Sequence, residues 1–294
     1  MEGKEKKSVL AKLGKNSILV TDIASQYWCE KQMELNYLYG KQYTKAMAEG
    51  AKQHEELQAE VYVPLEIEPI TYSDFFYKAG YENYMALKSL KKSGIGREIR
   101  IYGSINGYKL NGKIDELRLK EDEVFVIETK TKASSKELTE PMTRPHKIQV
   151  LLYKKMLEDI KDGSYSYDNF YTTYIKGMKP ISEKFVSEAE ALGIEKSLLS
   201  LEKVYRLMFD EIKSLPRISN TVRVRYIDRF TGRESSTISF SYSKEEVEKL
   251  LIYAMGYWNG EREAQPVSKE EAWKCRFCRF YGNECKVWIS LAKR

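Results

Sequence analysis

Cysteine is scarce in this chain and histidine scarcer still: four and two among 294 residues. The lysine-rich start, residues 1–16, has no apolar stretch with a small-residue cleavage site, so it does not read as a secretory signal. Without that signal a disulfide framework is disfavoured and a metal site favoured. No apolar run approaches the ~20 residues that cross a bilayer. The expectation is an intracellular, soluble protein in the cytoplasm with no membrane partner. Internal repeats, low-complexity tracts and Gly/Ser-rich linkers are missing, which leaves no clean domain boundary. A G-x-x-x-x-G-K-[ST] phosphate loop is missing too, and that excludes a fused helicase motor.

What is present suits one large core. The hydrophobic share is 42%, which excludes disorder as the general state. Forty-nine Lys and Arg against 43 Asp and Glu leave +6, a balance that permits a nucleic-acid partner without identifying one. Twenty-two tyrosines outnumber ten phenylalanines. Most such rings serve packing, and a few can line a groove where bases stack.

The patterning predicts helices first: one capped by Thr21 or Asp22 and running to Tyr39, then 44–61 and 72–90. Strands follow over 97–105, 108–119 and 123–132, the last rich in β-branched and aromatic residues like a buried central strand. Beyond them the pattern predicts a helix over 145–161, a strand over 169–175 and a long helix over 187–215. A hairpin (223–227 and 236–242) and a helix over 243–258 complete it. The class is α/β, a mixed sheet flanked by helices. Residues 1–18 read as a basic arm and 19–294 as one domain. Within that domain we expect a helical part (about 19–95), a sheet core (about 96–185), a helical and hairpin region (about 186–260) and a cysteine-bearing tail (about 261–294).

Two groups of residues carry chemistry. Gly112-Lys113-Ile114-Asp115 is followed thirteen residues later by Glu128-Thr129-Lys130. Side chains two apart on a strand share a face, so Glu128 and Lys130 project together. A carboxylate inside a central strand is costly to bury without a partner or cation. If the strands are neighbours, Asp115 and Glu128 converge with Lys130 beside them, a set of hard oxygen ligands suited to one or two Mg²⁺ or Mn²⁺ ions. The Thr129 carbonyl is a candidate further ligand. Such an ion lowers the pKa of a bound water and neutralises charge on a scissile phosphate, with Lys130 positioning the water or steadying the transition state. Gln149 and Tyr153 lie four apart, hence on one helix face. His54 can add an imidazole ligand. The bland alternative is a surface Glu128–Lys130 ion pair.

The second group is Cys275-Arg-Phe-Cys278 with Cys285, three thiolates within eleven residues and no histidine nearby. Cys29 is the candidate for the fourth. All-thiolate ligation suits structural zinc or a 4Fe–4S cluster, and spacing by itself leans to zinc. Arg223, Arg225 and Arg229 are candidates for nucleic-acid backbone contact, or for a solvated hairpin face.

These motifs, taken in order, resemble the exonuclease V (defects-in-morphology) family of single-strand DNA exonucleases, within the RecB-like PD-(D/E)XK superfamily. Val20-Thr21-Asp22-Ile23-Ala24-Ser25-Gln26-Tyr27-Trp28-Cys29-Glu30 is similar to the family's first-cysteine motif, and Gly50-Ala51-Lys52-Gln53-His54 to its metal-binding histidine motif. Gly112–Asp115 and Glu128–Lys130 match the catalytic pair, Gln149…Tyr153 the RecB-type helix motif, and Trp273–Cys278 through Cys285 the cluster-binding tail. The resemblance implies a restriction-endonuclease-like sheet whose N- and C-terminal segments are joined by a 4Fe–4S cluster on Cys29, Cys275, Cys278 and Cys285. It implies Mg²⁺- or Mn²⁺-dependent hydrolysis of single-stranded DNA from an end, in DNA repair or processing, with a single-strand-binding protein as a candidate partner. His54, Asp115, Glu128 and Thr129 would hold the metal, and Lys130, Gln149 and Tyr153 would complete the catalytic set. Alternatives are a CRISPR spacer-acquisition nuclease with the same cysteine layout, which tends to be shorter, and a non-catalytic DNA-binding protein on a nuclease scaffold. The chain departs from the superfamily's Pro-Asp dipeptide, where Ile114 precedes Asp115.

Overall fold

Two hairpin turns with positive φ at both central residues, Asn106-Gly107 and Glu121-Asp122, fold the middle of the chain into three long antiparallel strands. The structure is a computed structural model that describes residues 8–59, 61, 62, 64–132 and 137–288. Its N-terminal elements are α1 (Val9–Lys12), β1 (Ile18–Leu19), α2 (Val20–Tyr39), α3 (Lys45–Ala59) and α4 (Tyr72–Ser93). The hairpin strands follow as β2 (Ile95–Ile105), β3 (Tyr108–Lys120) and β4 (Glu123–Lys132). Then come α5 (Glu140–Asp162), α6 (Tyr167–Phe170) running into a π-helical turn at Tyr171–Ile175, α7 (Glu183–Ala191) and α8 (Leu201–Lys213). The chain continues through β5 (Arg217–Ile218), β6 (Thr221–Asp228), β7 (Glu234–Ser241) and α9 (Lys244–Trp258) to a 3-10 turn at Ala272–Phe277.

The seven strands form one mixed sheet with the path β1-β3-β4-β6-β7; β2 also pairs with β3, and β5 with β4. β4 and β6 run parallel, while β2–β3, β3–β4 and β6–β7 are antiparallel. Helix α5 packs across β2, β3, β4 and β6, while α4 lies along β2 and carries α8. The expected α/β class, a mixed sheet flanked by helices, is the observed one. Among the described residues no helix is long and apolar enough to cross a membrane.

Three secondary-structure expectations change. Residues 169–175, read as a strand, are helical. Phe170 and Tyr174, four apart, stack at 4.9 Å, and Phe170 packs on Tyr205 and Phe209 of α8, so helical spacing satisfies these rings better than a pleat. The helix expected over 187–215 is two, broken after Ala191 where Gly193 takes φ +82°. Of the expected basic arm, residues 1–7 lie outside the described set. The remainder is packed in, with Val9, Leu10, Leu13 and Ile18 buried and β1 paired to β3. Helix α5 also starts earlier than expected, with Pro141 in its first turn and Pro145 inside it.

Candidate active site

The two turns set the register that builds the site. Arg97 pairs with Glu116 and Ile99 with Ile114, so Glu98 falls across from Asp115. Glu116 pairs with Ile127, so Asp115 and Glu128 are the next positions along. Three carboxylates thus line up over three adjacent strands. Glu98 sits at φ +55°, a left-handed conformation that costs a residue with a Cβ about 1–2 kcal/mol. Helix α3 brings His54 over this row, its Nδ1 2.9 Å from Glu98 Oε1 and 3.7 Å from Asp115 Oδ1. Ligand atoms of His54, Glu98 and Asp115 lie within 4.8 Å of one another and could hold a metal ion.

Each acid is oriented by neighbours. The Thr129 backbone N–H donates to Asp115 Oδ2 at 2.7 Å. Glu128 is 1% exposed; its Oε1 accepts from Lys130 Nζ at 2.5 Å and Gln149 Nε2 at 2.9 Å. Gln149 also donates to the Tyr153 hydroxyl at 3.3 Å. The other Glu128 oxygen, Oε2, is buried with no hydrogen-bond partner, which is costly for a carboxylate unless a cation meets it. Burial, then the neighbouring Glu128, pushes the Asp115 carboxyl up to about 8 despite Lys130 and His54. Burial works against the Lys130 charge, but Glu128 and Asp115 outweigh it and hold the ammonium above its ordinary range. The Glu98 hydrogen bond raises the His54 imidazole. Three carboxylates thus crowd one end of the cleft with Lys130 and His54 beside them.

Its walls are a cleft of about 960 Å³ lined by His54, Glu98, Asp115, Glu128, Lys130, Gln149 and Tyr153 among others. His54, Asp115, Glu128, Lys130, Gln149 and Tyr153 are therefore brought to one place, while Thr129 is seen there only through its N–H on Asp115. Glu98 was not foreseen, because between Arg97 and Ile99 it reads as one more solvated charge on an alternating strand.

Gly112 has a steric duty in the same place. A Cβ there would stand 2.5 Å from Tyr153 Cε1 and 3.0 Å from Val20 Cγ2, and Tyr153 is too buried to retreat. Gly112→Ala is expected to lower the melting temperature by roughly 2–6 °C through overpacking. It should also displace Tyr153 and weaken cleavage; a variant with unchanged melting and unchanged activity would show that the ring is not held here.

Next to Asp115, the fully buried Glu116 gathers three arginines: Arg97 at 2.9 Å, Arg225 at 2.8 Å and Arg118 at 2.7 Å. Arg225 also donates to Thr129 Oγ1 at 3.1 Å, bracing the residue that orients Asp115. Of the arginines considered for backbone contact, Arg225 is thus committed internally. Arg229 pairs with Glu49 at 3.5 Å, and Arg223 lies over the Phe125 ring.

Far along the chain but near in space, α2 kinks at Cys29, whose backbone leaves helical geometry. Cys29, Cys275, Cys278 and Cys285, all free, line one small cavity with Trp28, Leu35, Val267 and Tyr281. Burial pushes the Cys29 thiol up to about 11. The tail is clamped to α2 by other contacts too: Glu30 pairs with Arg262 and accepts from the Gln265 N–H, and Lys274 reaches the Trp28 carbonyl at 3.3 Å.

Comparison with known proteins gives this arrangement a class. A family profile described as "Exonuclease V - a 5' deoxyribonuclease" matches residues 9–123, 118–200 and 194–288. A protein named Exonuclease V from Danio rerio is 23% identical over 283 residues, covering 93% of this chain and 71% of that one. One from Candida tropicalis, named Exonuclease V, mitochondrial, is 31% identical over 64 residues, 22% of this chain and 10% of its own. A solved structure from Eubacterium rectale, provisionally described as an exonuclease, aligns with 100% of this chain and 99% of its own at 12% identity and a TM-score of 0.40, too distant to carry an argument. The protein is a DNA exonuclease. It belongs to the exonuclease V family.

Proposed function

We propose that this chain is a divalent-metal-dependent exonuclease that digests single-stranded DNA from its 5′ end, on a PD-(D/E)XK-type domain that carries a 4Fe–4S cluster. The observation that carries the reading is the unpartnered Glu128 Oε2, buried beside Asp115 in a cleft that also holds Glu98 and His54. Asp115, Glu128, Glu98 and His54, with the Thr129 carbonyl, would hold one or two Mg²⁺ or Mn²⁺ ions; these hard-oxygen and imidazole donors fit such ions. A divalent ion supplies a nucleophile at neutral pH and neutralises charge growing on the phosphate.

The chain's own groups do the rest. Lys130 stays protonated between two carboxylates and offers N–H donors to a phosphate oxygen. Gln149 fixes Glu128 Oε1, so the carboxylate cannot rotate away from Asp115. The Thr129 N–H does the same for Asp115, and Arg225 and Glu116 brace Thr129 in turn. Polarity follows the family description, which specifies a 5′ deoxyribonuclease.

The four free thiols line one small cavity, a donor set that fits an all-thiolate metal centre. The choice of a 4Fe–4S cluster over zinc rests on the resemblance of the cysteine motifs to the family's cluster-binding motifs.

The test uses anaerobically purified full-length protein with single-stranded DNA labelled at either end, in Mg²⁺ or EDTA. Degradation in Mg²⁺ alone, with the 5′ label released in short products from the first turnover while the 3′ label passes down a ladder, is expected. Equal cleavage in EDTA would remove the metal. Immediate release of the 3′ label would reverse the polarity.

A further inference from the structure

Helix α4 carries two stripes, and only one of them is explained by folding. Tyr77, Gly80, Asn83, Leu87 and Leu90 are buried against the body of the protein. Tyr72, Phe75, Phe76 and Ala79, also at helical spacing, line the active-site cleft instead. Two of these rings are largely open to solvent: Tyr72 is 73% and Phe75 57% exposed, next to an exposed Ile70. Burying so little, they contribute little to the core, and exposed aromatic surface at a cleft mouth marks binding.

Tyr72 is held in order with two rings behind it. Tyr72 lies over Phe76 at 6.1 Å and 16°, and Phe76 over Tyr174 at 6.3 Å and 15°, a near-parallel series. The first turn of α4 is pinned by Asp74, which is buried and accepts hydrogen bonds from the Thr71 and Ser182 N–H groups and the Ser182 hydroxyl. The Tyr174 hydroxyl meets Asn111, one residue before Gly112, which ties the rings to the strand that carries Asp115. Cations stand along the same cleft: Lys109 Nζ sits 4.9 Å above the Tyr174 ring, and Arg100 and Lys113 line the wall.

We infer that Tyr72 and Phe75 form a stacking platform for unpaired nucleobases of the strand whose phosphate reaches Asp115 and Glu128, with Lys109 holding the backbone between them. Flat π-faces accept any base, and a paired base has no free face to offer. The platform thus selects single strands and is indifferent to sequence. This rests on the nuclease reading for the position of the phosphate, but base stacking can be measured without cleavage.

The experiment is fluorescence anisotropy on the full chain in EDTA at fixed salt, with labelled oligothymidylate and an abasic strand of the same length as probes. The wild type should bind oligothymidylate at least about 10-fold tighter than the abasic strand. Tyr72→Ala and Phe75→Ala should each lose about 10-fold for oligothymidylate and leave abasic binding unchanged, and Tyr72→Phe should restore the loss. Lys109→Ala should weaken both strands alike and reduce the salt slope by about 0.7. Equal wild-type affinity for the two strands overturns the inference. So do unchanged oligothymidylate binding by both ring variants, which assigns the patch to a protein partner, and equal losses on both strands, which make the rings structural. A protein that discriminates the strands but never cleaves in Mg²⁺ keeps the platform and loses the nuclease mechanism; the reverse outcome does the opposite.

Discussion

Glu128→Ala and Asp115→Ala are each expected to lower Mg²⁺-dependent DNA degradation by on the order of 10³-fold or more, with single-strand binding in EDTA staying within a few-fold of the wild type. The size follows from what each carboxylate does. Charge on a phosphate in flight is stabilised chiefly by preorganised electrostatics, and one missing element of such a site costs about 10²–10³-fold even without a metal. Here the lost group would also take away the ion. Binding should survive because the platform and cations lie elsewhere in the cleft. Glu98→Gln belongs in the same series, since its carboxylate lies within 4.8 Å of the His54 and Asp115 ligand atoms. Gln149→Ala, which removes a donor to Glu128 and to the Tyr153 hydroxyl, should cost about 10–100-fold, as loss of orienting partners of metal ligands does. Circular dichroism separates loss of chemistry from loss of fold. Unchanged cleavage by both alanine variants would end the metal-centred mechanism.

The second large effect concerns the thiols. Cys278→Ser should lose the brown colour and the absorbance near ~400 nm of an iron–sulfur protein, and its melting temperature should fall by roughly 10 °C. A structural four-ligand metal contributes about 10–16 kcal/mol to folding in small zinc domains. Here other clamps remain between α2 and the tail, among them Glu30 with Arg262 and Lys274 with Trp28. A loss nearer 5 kcal/mol is therefore expected, at ~2 °C per kcal/mol for a chain of this size. A colourless wild-type protein containing zinc would overturn the cluster, and full stability of the serine variant would overturn its structural role.

Much of the site could be read before folding was considered. Glu128 and Lys130 two apart on a strand, and Gln149 and Tyr153 four apart on a helix, follow from the periods of the two backbones. The Asn106-Gly107 turn even contained the register that sets Glu98 across from Asp115. What hid Glu98 is its setting: between Arg97 and Ile99 it reads as one more solvated charge on a strand, and nothing local marks that charge as functional. The aromatic run at 169–175 misled for a related reason. Aromatic and β-branched residues favour strands only where a sheet edge is free to receive them, and here a bed of rings from α4 and α8 received them as a helix.

By itself the sequence determined which chemical groups exist and how they are spaced along each element, because helix and strand periodicity are properties of the local backbone. It also settled that three thiols cluster in the tail. Only the tertiary structure decided which distant groups share a site: His54 over Glu98, Arg225 against Glu116 and Thr129, Cys29 at a kink facing the tail, and two exposed rings beside an acidic row. Those contacts depend on how helices lie across the sheet, and packing of whole surfaces settles that, not any short stretch of residues.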